Sequence, residues 1–178
     1  SFGQTVELPV GITGEIVVHG PTSTDSYWQR QEQTELAKMV DADGRIWHRM
    51  GDAGYFDPEG RLWYCGRKSQ RVICDQTTLF ADQIEAIFNV HPEVARTALV
   101  GIGPRTQQIP VLCVELLNKV NNHRKERIRT DLAQLAQSNV MTRSITKIIF
   151  HKSFPVDIRH NAKIGREKLA VWAEKRLS

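Results

Sequence analysis

The chain has 178 residues, 40% hydrophobic and 25% charged, an ordinary soluble composition with length for one domain or two small ones. No apolar run approaches the roughly 20 residues of a bilayer span and no signal-peptide pattern opens the chain, so a cytoplasmic protein without a transmembrane segment is expected. Three cysteines without CxxC spacing, Cys65, Cys74 and Cys113, argue against a disulfide framework or a zinc knuckle and read as small apolar residues in a reducing compartment.

The net charge of +4 is unevenly spread: residues 1–65 hold 5 Lys/Arg against 10 Asp/Glu, and residues 66–178 hold 19 against 10. That break places an expected domain boundary beside Gly66, with units 1–66 and 67–178. The chain starts with Ser1 on a partly extended segment, which suits a piece of a longer protein. In the first unit GEIVVHG reads as a strand, and QEQTELAKMV (31–40) as a short helix. Two segments echo each other, Asp41-Ala-Asp-Gly44-Arg-Ile-Trp47 and Asp57-Pro-Glu-Gly60-Arg-Leu-Trp63. Each has Asp first and Gly fourth, as a type I turn requires, with a strand to follow.

Past Gly66 the periodicity becomes helical. ADQIEAIFN (81–89) aligns Ile84, Ile87 and Phe88, with Asp82 and Glu85 near the helix start, where the helix dipole favours acids. VARTALVGI and PVLCVELL are strand-like and joined by the polar loop GPRTQQ. A second helix follows with Ile128, Leu132 and Leu135 aligned, then the strand SITKIIF and a last helix with Leu169 and Trp172 on its apolar side. The expected class is α+β: barrel-like short strands first, then helices packed on a small, mostly antiparallel sheet.

Four segments, in this order, resemble the signatures of the adenylate-forming enzymes, which include acyl-CoA synthetases, luciferases and non-ribosomal peptide adenylation domains. They are GEIVVHGPTSTDSYWQRQEQT, Met50-Gly51-Asp52, Gly66-Arg67 and Asn161-Ala162-Lys163-Ile164. The resemblance implies that residues 1–66 are the last strands of a large N-terminal domain whose remainder, with the phosphate loop and acyl pocket, lies upstream. Residues 67–178 would be the small mobile C-terminal domain, and the fragment alone would be inactive.

The resemblance also implies roles. Asp52 would accept hydrogen bonds from the ribose hydroxyls of ATP, a task suited to a carboxylate with two acceptor oxygens. Arg67 would contact the nucleotide near ribose and phosphate. Lys163 would be the catalytic lysine, an ammonium that offsets the negative charge crowding a carboxylate and an α-phosphate as pyrophosphate departs. Mg2+ would accompany the nucleotide, and the chain's own histidines show no metal-ligand spacing.

Several positions depart from the family pattern. Ser26 replaces a glycine, and Ser69 stands at the hinge position where Asp or Lys is usual; a serine still tolerates the torsion change. Gln76 falls where CoA-using members keep a glycine along the pantetheine passage, so a CoA step is not expected. Pro155 and Lys163 are also further apart than is usual. VDIRHNAKIGREKLAVWA resembles the olefin-pathway β-lactone synthetases of bacterial hydrocarbon biosynthesis. By that resemblance the substrate is a 2-alkyl-3-hydroxy fatty acid, and other pathway enzymes are possible partners.

Two rivals stay open. One is an acyl-CoA or acyl-AMP ligase of the same superfamily. The other is a basic interaction module built on His123, Arg124, Lys125, Arg127 and Arg129 with Arg143 and Lys147. Stacking aromatics do not interleave with these charges, so a solvated helix face is the simpler reading and no nucleic-acid partner is expected.

Overall fold

A computed structural model of the chain describes residue 3, residues 5–158 and residues 163–177. Arg159, His160, Asn161 and Ala162, and with them half of the terminal motif, lie outside the described residues. The chain divides into two compact units, Ser1–Ser69 and Gln70–Ser178.

The first unit contains β1 (Gly14–Val18), α1 (Gln31–Ala37), β2 (Lys38–Val40), β3 (Ile46–Phe56) and β4 (Leu62–Arg67). The long strand β3 organises it. β1 pairs with β3 from His48 to Gly54 on one edge. The other edge is shared end to end by β2, opposite 46–48, and β4, opposite 52–56. Gly51 sits between those two stretches with φ +69°, a conformation costly for any residue with a Cβ. Among the described residues these strands form an open four-stranded sheet, not a closed ring.

The helix expected across 31–40 stops at Ala37. Lys38 turns extended (φ −116°, ψ 139°), and Lys38-Met39-Val40 pairs with β3 as the first arm of a hairpin. Cross-strand pairing here overrides a helical sequence pattern.

The two Asp turns close by the same set of bonds. Gly44 N–H donates to Asp41 O at 3.1 Å and Gly60 N–H to Asp57 O at 2.9 Å. Each Asp carboxylate then accepts from the backbone N–H two and four residues on, from the Arg Nε, and from the Trp indole; Trp47 Nε1 donates to Asp41 at 2.9 Å and Trp63 Nε1 to Asp57 at 2.7 Å. Four donors on one carboxylate fix the turn and the strand that leaves it.

The second unit contains β5 (Val72–Ile73), β6 (Thr78–Leu79), α2 (Ala81–Phe88), β7 (Val94–Ile102), β8 (Ile109–Leu116), α3 (Asn122–Ser138), β9 (Lys147–Phe150), β10 (Val156–Asp157), β11 (Lys163–Ile164) and α4 (Arg166–Leu177). Its centre is the sheet β7-β8-β9, antiparallel between β7 and β8 and parallel between β8 and β9. α3 supplies the crossover that a parallel pair requires. Leu99, Leu112, Val114 and Ile148 face a core with Ile84, Phe88, Ile128 and Leu132 of α2 and α3. Their alternates Ala98, Val100, Val111, Cys113 and Ile149 face Leu169 and Ala173 of α4. Burial on both faces explains why residues 98–100 (ALV) and 111–114 (VLCV) are continuously apolar instead of alternating.

Both helices bury slightly different stripes from those expected. In α2 the buried set is Ala81, Ile84, Glu85 and Phe88, while Ile87 is only partly buried; in α3 Ala136 is buried and Leu135 is partly buried.

Candidate active site

Asp52 and Arg67 are direct cross-strand partners on β3 and β4. Arg67 Nη1 lies 3.1 Å from Asp52 Oδ1 and donates to the carbonyl of Met50 at 3.0 Å. The contact with Asp52 is ionic without hydrogen-bond alignment, so Oδ1 is shielded from solvent yet accepts no hydrogen bond. A carboxylate has two acceptor oxygens, and the Arg67 contact does not occupy Oδ1 with an aligned hydrogen bond.

Local sequence sets this pair. The Asp57 turn fixes the β3–β4 hairpin. The register shifts between Ala53 and Gly54, where a Cβ on Gly54 would lie 2.7 Å from the carbonyl oxygen of Trp63. The bare glycine lets the two backbones close together two residues from Asp52. Below the pair, Glu15 gathers Arg49 (Nη2, 2.8 Å) and Lys68 (Nζ, 2.6 Å). Burial raises the Glu15 pKa, but the bonds and charges of Arg49 and Lys68 more than offset it and hold it below the usual value.

Ser69 is exposed in a 3₁₀ turn, Lys68–Gln70. Gln76 is exposed between β5 and β6, where Cys74 N–H donates to Thr77 O at 2.8 Å and the Gln76 amide donates to Asp75 at 3.2 Å.

Lys163 belongs to the second unit. It is exposed and opens β11, paired with Asp157 of β10. Val156-Asp157 and Lys163-Ile164 thus pair as two antiparallel strands of two residues each, too short for periodicity to be read. Gly165 N–H donates to Pro155 O at 2.7 Å and closes the base of this pair.

A cluster that the sequence did not single out lies behind this strand pair. Arg166 Nη2 donates to Glu85 Oε2 at 2.9 Å, and its Nη1 sits 2.9 Å from Oε1, off the hydrogen-bond axis. Arg166 Nε donates to Gln70 Oε1 at 3.0 Å, and Glu85 Oε1 accepts the Leu99 N–H at 2.7 Å. Burial pushes the Glu85 carboxyl up to about 7 against the pull of Arg166 and the Leu99 N–H. Glu85 was expected near a helix start for its charge; its place beside Ile84 on the apolar stripe was the available signal.

Burial likewise pushes the Cys113 thiol up to about 12, with Glu85 contributing, so this cysteine is a core residue. Cys65 is also buried.

Among the described residues no group of three metal-ligating side chains occurs. Nor is any helix long and apolar enough to cross a membrane. Of the basic cluster, Arg124 pairs with Glu93 at 2.6 Å and Arg129 with Glu126 at 3.1 Å. Arg129 also donates to Ile148 O and lies over the Phe150 ring, 5.0 Å from its centroid. These two arginines serve the fold.

No family model matches the chain. An olefin β-lactone synthetase from Xanthomonas campestris pv. campestris is 52% identical over 170 residues, 93% of this chain and 31% of that protein. The chain is homologous to olefin β-lactone synthetases. A second, from Stenotrophomonas maltophilia, is 49% identical over 99% of the chain and 32% of its own length. The chain thus spans about a third of the length of these relatives. The fold is shared with o-succinylbenzoate CoA synthetase from Bacillus subtilis, solved in complex with an acyl-adenylate intermediate. Its TM-score is 0.73 at 24% identity, over 91% of this chain and 31% of that one. The expectation of olefin β-lactone synthetase relatives holds.

Proposed function

We propose that the chain is part of an ATP-dependent, adenylate-forming ligase that makes a β-lactone from a 2-alkyl-3-hydroxy fatty acid. In the first step a substrate carboxylate oxygen attacks the α-phosphorus of ATP, the bond to the β-phosphate breaks, and pyrophosphate leaves. In the second, the substrate's 3-hydroxyl oxygen attacks the acyl carbonyl and loses its proton to solvent. The acyl–phosphate bond breaks, AMP leaves, and a four-membered ring closes.

Asp52 accepts the ribose hydroxyls, and Arg67 holds the nucleotide beside it while restraining the Asp52 carboxylate. Lys163 brings a positive charge to the junction of carboxylate and phosphate, where charge builds as pyrophosphate departs. Ser69 is the hinge about which the residues after it, 70–178, reorient. Mg2+ comes with the nucleotide's phosphates.

The observation that carries this reading is the cross-strand pairing of Asp52 with Arg67, which sets a carboxylate and a guanidinium 3.1 Å apart on β3 and β4. The named relatives support the lactone product. Exposed Trp28, Trp63, Tyr64 and Phe56 support packing of the first unit against an upstream domain of the same enzyme.

The test is incubation of the full-length enzyme with a 3-hydroxy acid and ATP, with and without CoA. Lactone and AMP without CoA are expected. A CoA-dependent thioester would instead establish an acyl-CoA ligase, and Gln76 would then not exclude CoA.

A further inference from the structure

The Lys163 hairpin is too small to hold itself in place. β10 and β11 contribute two residues each, and an isolated two-stranded hairpin is marginal even when longer. Its orientation must come from what anchors its ends. Its base is held by the Gly165–Pro155 backbone bond of 2.7 Å. At that same base the chain leaves β11 through Gly165 into α4, whose first residue is Arg166.

Arg166 has a rigid planar head, and two groups from different segments meet it. Glu85 of α2 holds Nη2 at 2.9 Å and faces Nη1 at 2.9 Å. Gln70, which follows the hinge residue Ser69 in the chain, accepts from Nε at 3.0 Å. Glu85 in turn is fixed by the Leu99 N–H at 2.7 Å, on the edge of the central sheet. The side chains are 14% and 9% exposed.

Stability alone is a weak reason for such a pair. The apolar cores on both faces of the sheet already hold α2 and α4, and a buried ion pair roughly repays its own desolvation. What the pair adds is direction: a guanidinium gripped on two sides fixes the first turn of α4. Lys163 is three residues before it, roughly 10 Å of extended chain.

We propose that Arg166 is a positioning residue for Lys163, holding the root of its hairpin to Glu85 and to Gln70 beside the hinge. The proposal rests on Lys163 acting in adenylate formation. It extends that reading to residues that touch no substrate.

The test uses the full-length enzyme in ATP–pyrophosphate exchange, with R166K, K163A and the double variant. Lysine keeps the charge but loses the planar fork and the Nε–Gln70 bond. R166K is expected to unfold cooperatively near the parent Tm, to lower kcat by about 10- to 100-fold, and to leave the KM for ATP within about twofold. Added to K163A, it should lower kcat no further.

If kcat falls for K163A but not for R166K, the positioning role is refuted while the Lys163 reading stands. If K163A leaves exchange unchanged, the Lys163 reading fails and takes the proposal with it. Multiplicative losses in the double variant would also refute it, because Arg166 would then act apart from Lys163. Should R166K fail to fold, Q70A, which removes only the outer partner, should lower kcat about three- to tenfold in the parent and not in K163A. An equal loss in both backgrounds would overturn the proposal.

Discussion

Asp52 and Arg67 face each other across the β3–β4 ladder, with 3.1 Å between Asp52 Oδ1 and Arg67 Nη1. The arginine's aligned hydrogen bond goes to Met50 O instead, so Arg67 faces the carboxylate without using up an acceptor site on it. The pairing supports a binding role for Asp52 over a turn-capping one, because the adjoining turns are capped by Asp41 and Asp57.

Replacing Asp52 by Asn converts one of its acceptor oxygens into a donor while keeping the shape. The KM for ATP in the full-length enzyme should rise about 10- to 100-fold, the range for losing a charge-assisted hydrogen bond. Initial-rate kinetics with ATP varied would check it. Loss of thermal stability with an unchanged KM would mark Asp52 as structural.

The hairpin carrying this pair depends on Gly54. A Cβ there would meet the Trp63 carbonyl oxygen at 2.7 Å and Ile16 Cδ1 at 2.9 Å, and the first of these is backbone that cannot rotate away. Gly54→Ala should destabilise the protein by about 1–3 kcal/mol, measured as a lower urea midpoint. Gly60→Ala in the neighbouring turn meets no atom within 4 Å, although φ is +76° there. Its cost should be that of strain alone, about 1 kcal/mol.

The Asp41 turn should be acid-sensitive in a defined window. The Trp47 indole bond, helped by Arg45 and opposed by burial, lowers the Asp41 carboxyl from 3.8 to about 2. A group whose folded pKa is depressed stabilises the fold fully above its unfolded value and loses that contribution as pH falls through the folded one. Its carboxyl carbon resonance should therefore titrate near pH 2. Asp41→Asn should flatten the stability profile between pH 4 and 2, and titration at the ordinary value would contradict this.

Glu85 has the opposite sign. Its folded pKa is raised from 4.5 to about 7, so the folded protein keeps a proton that the unfolded chain has released. The unfolded state binds fewer protons over this interval, and the stability contributed by Glu85 falls as pH rises from about 4.5 towards 7. Denaturant midpoints for Glu85→Gln should lack this slope. An identical slope in parent and variant would assign it elsewhere.

Much of the fold is legible in the sequence because its signals are local. Asp41-to-Gly44 and Asp57-to-Gly60 specify turns by backbone chemistry alone. The unbroken apolar runs at 98–100 and 110–114 announce strands buried on both faces. What is hidden depends on distant partners: residues 38–40 become a strand only because β3 is there to pair with, and Lys163 joins a hairpin of two-residue arms that no periodicity can reveal. Asp52, Arg67 and Lys163 were chosen by resemblance, and the fold adds the contact between the first two. Glu85, Gln70 and Arg166 stand far apart in sequence, and no short-range pattern could join them.

The most direct measurement is adenylate formation by the full-length enzyme carrying Lys163→Ala, followed as pyrophosphate release with a 3-hydroxy acid and ATP. Loss of one preorganised charge at the reacting centre predicts a rate lower by about 100-fold or more, with folding intact. Release at the parental rate would contradict the assignment of the chemistry to Lys163.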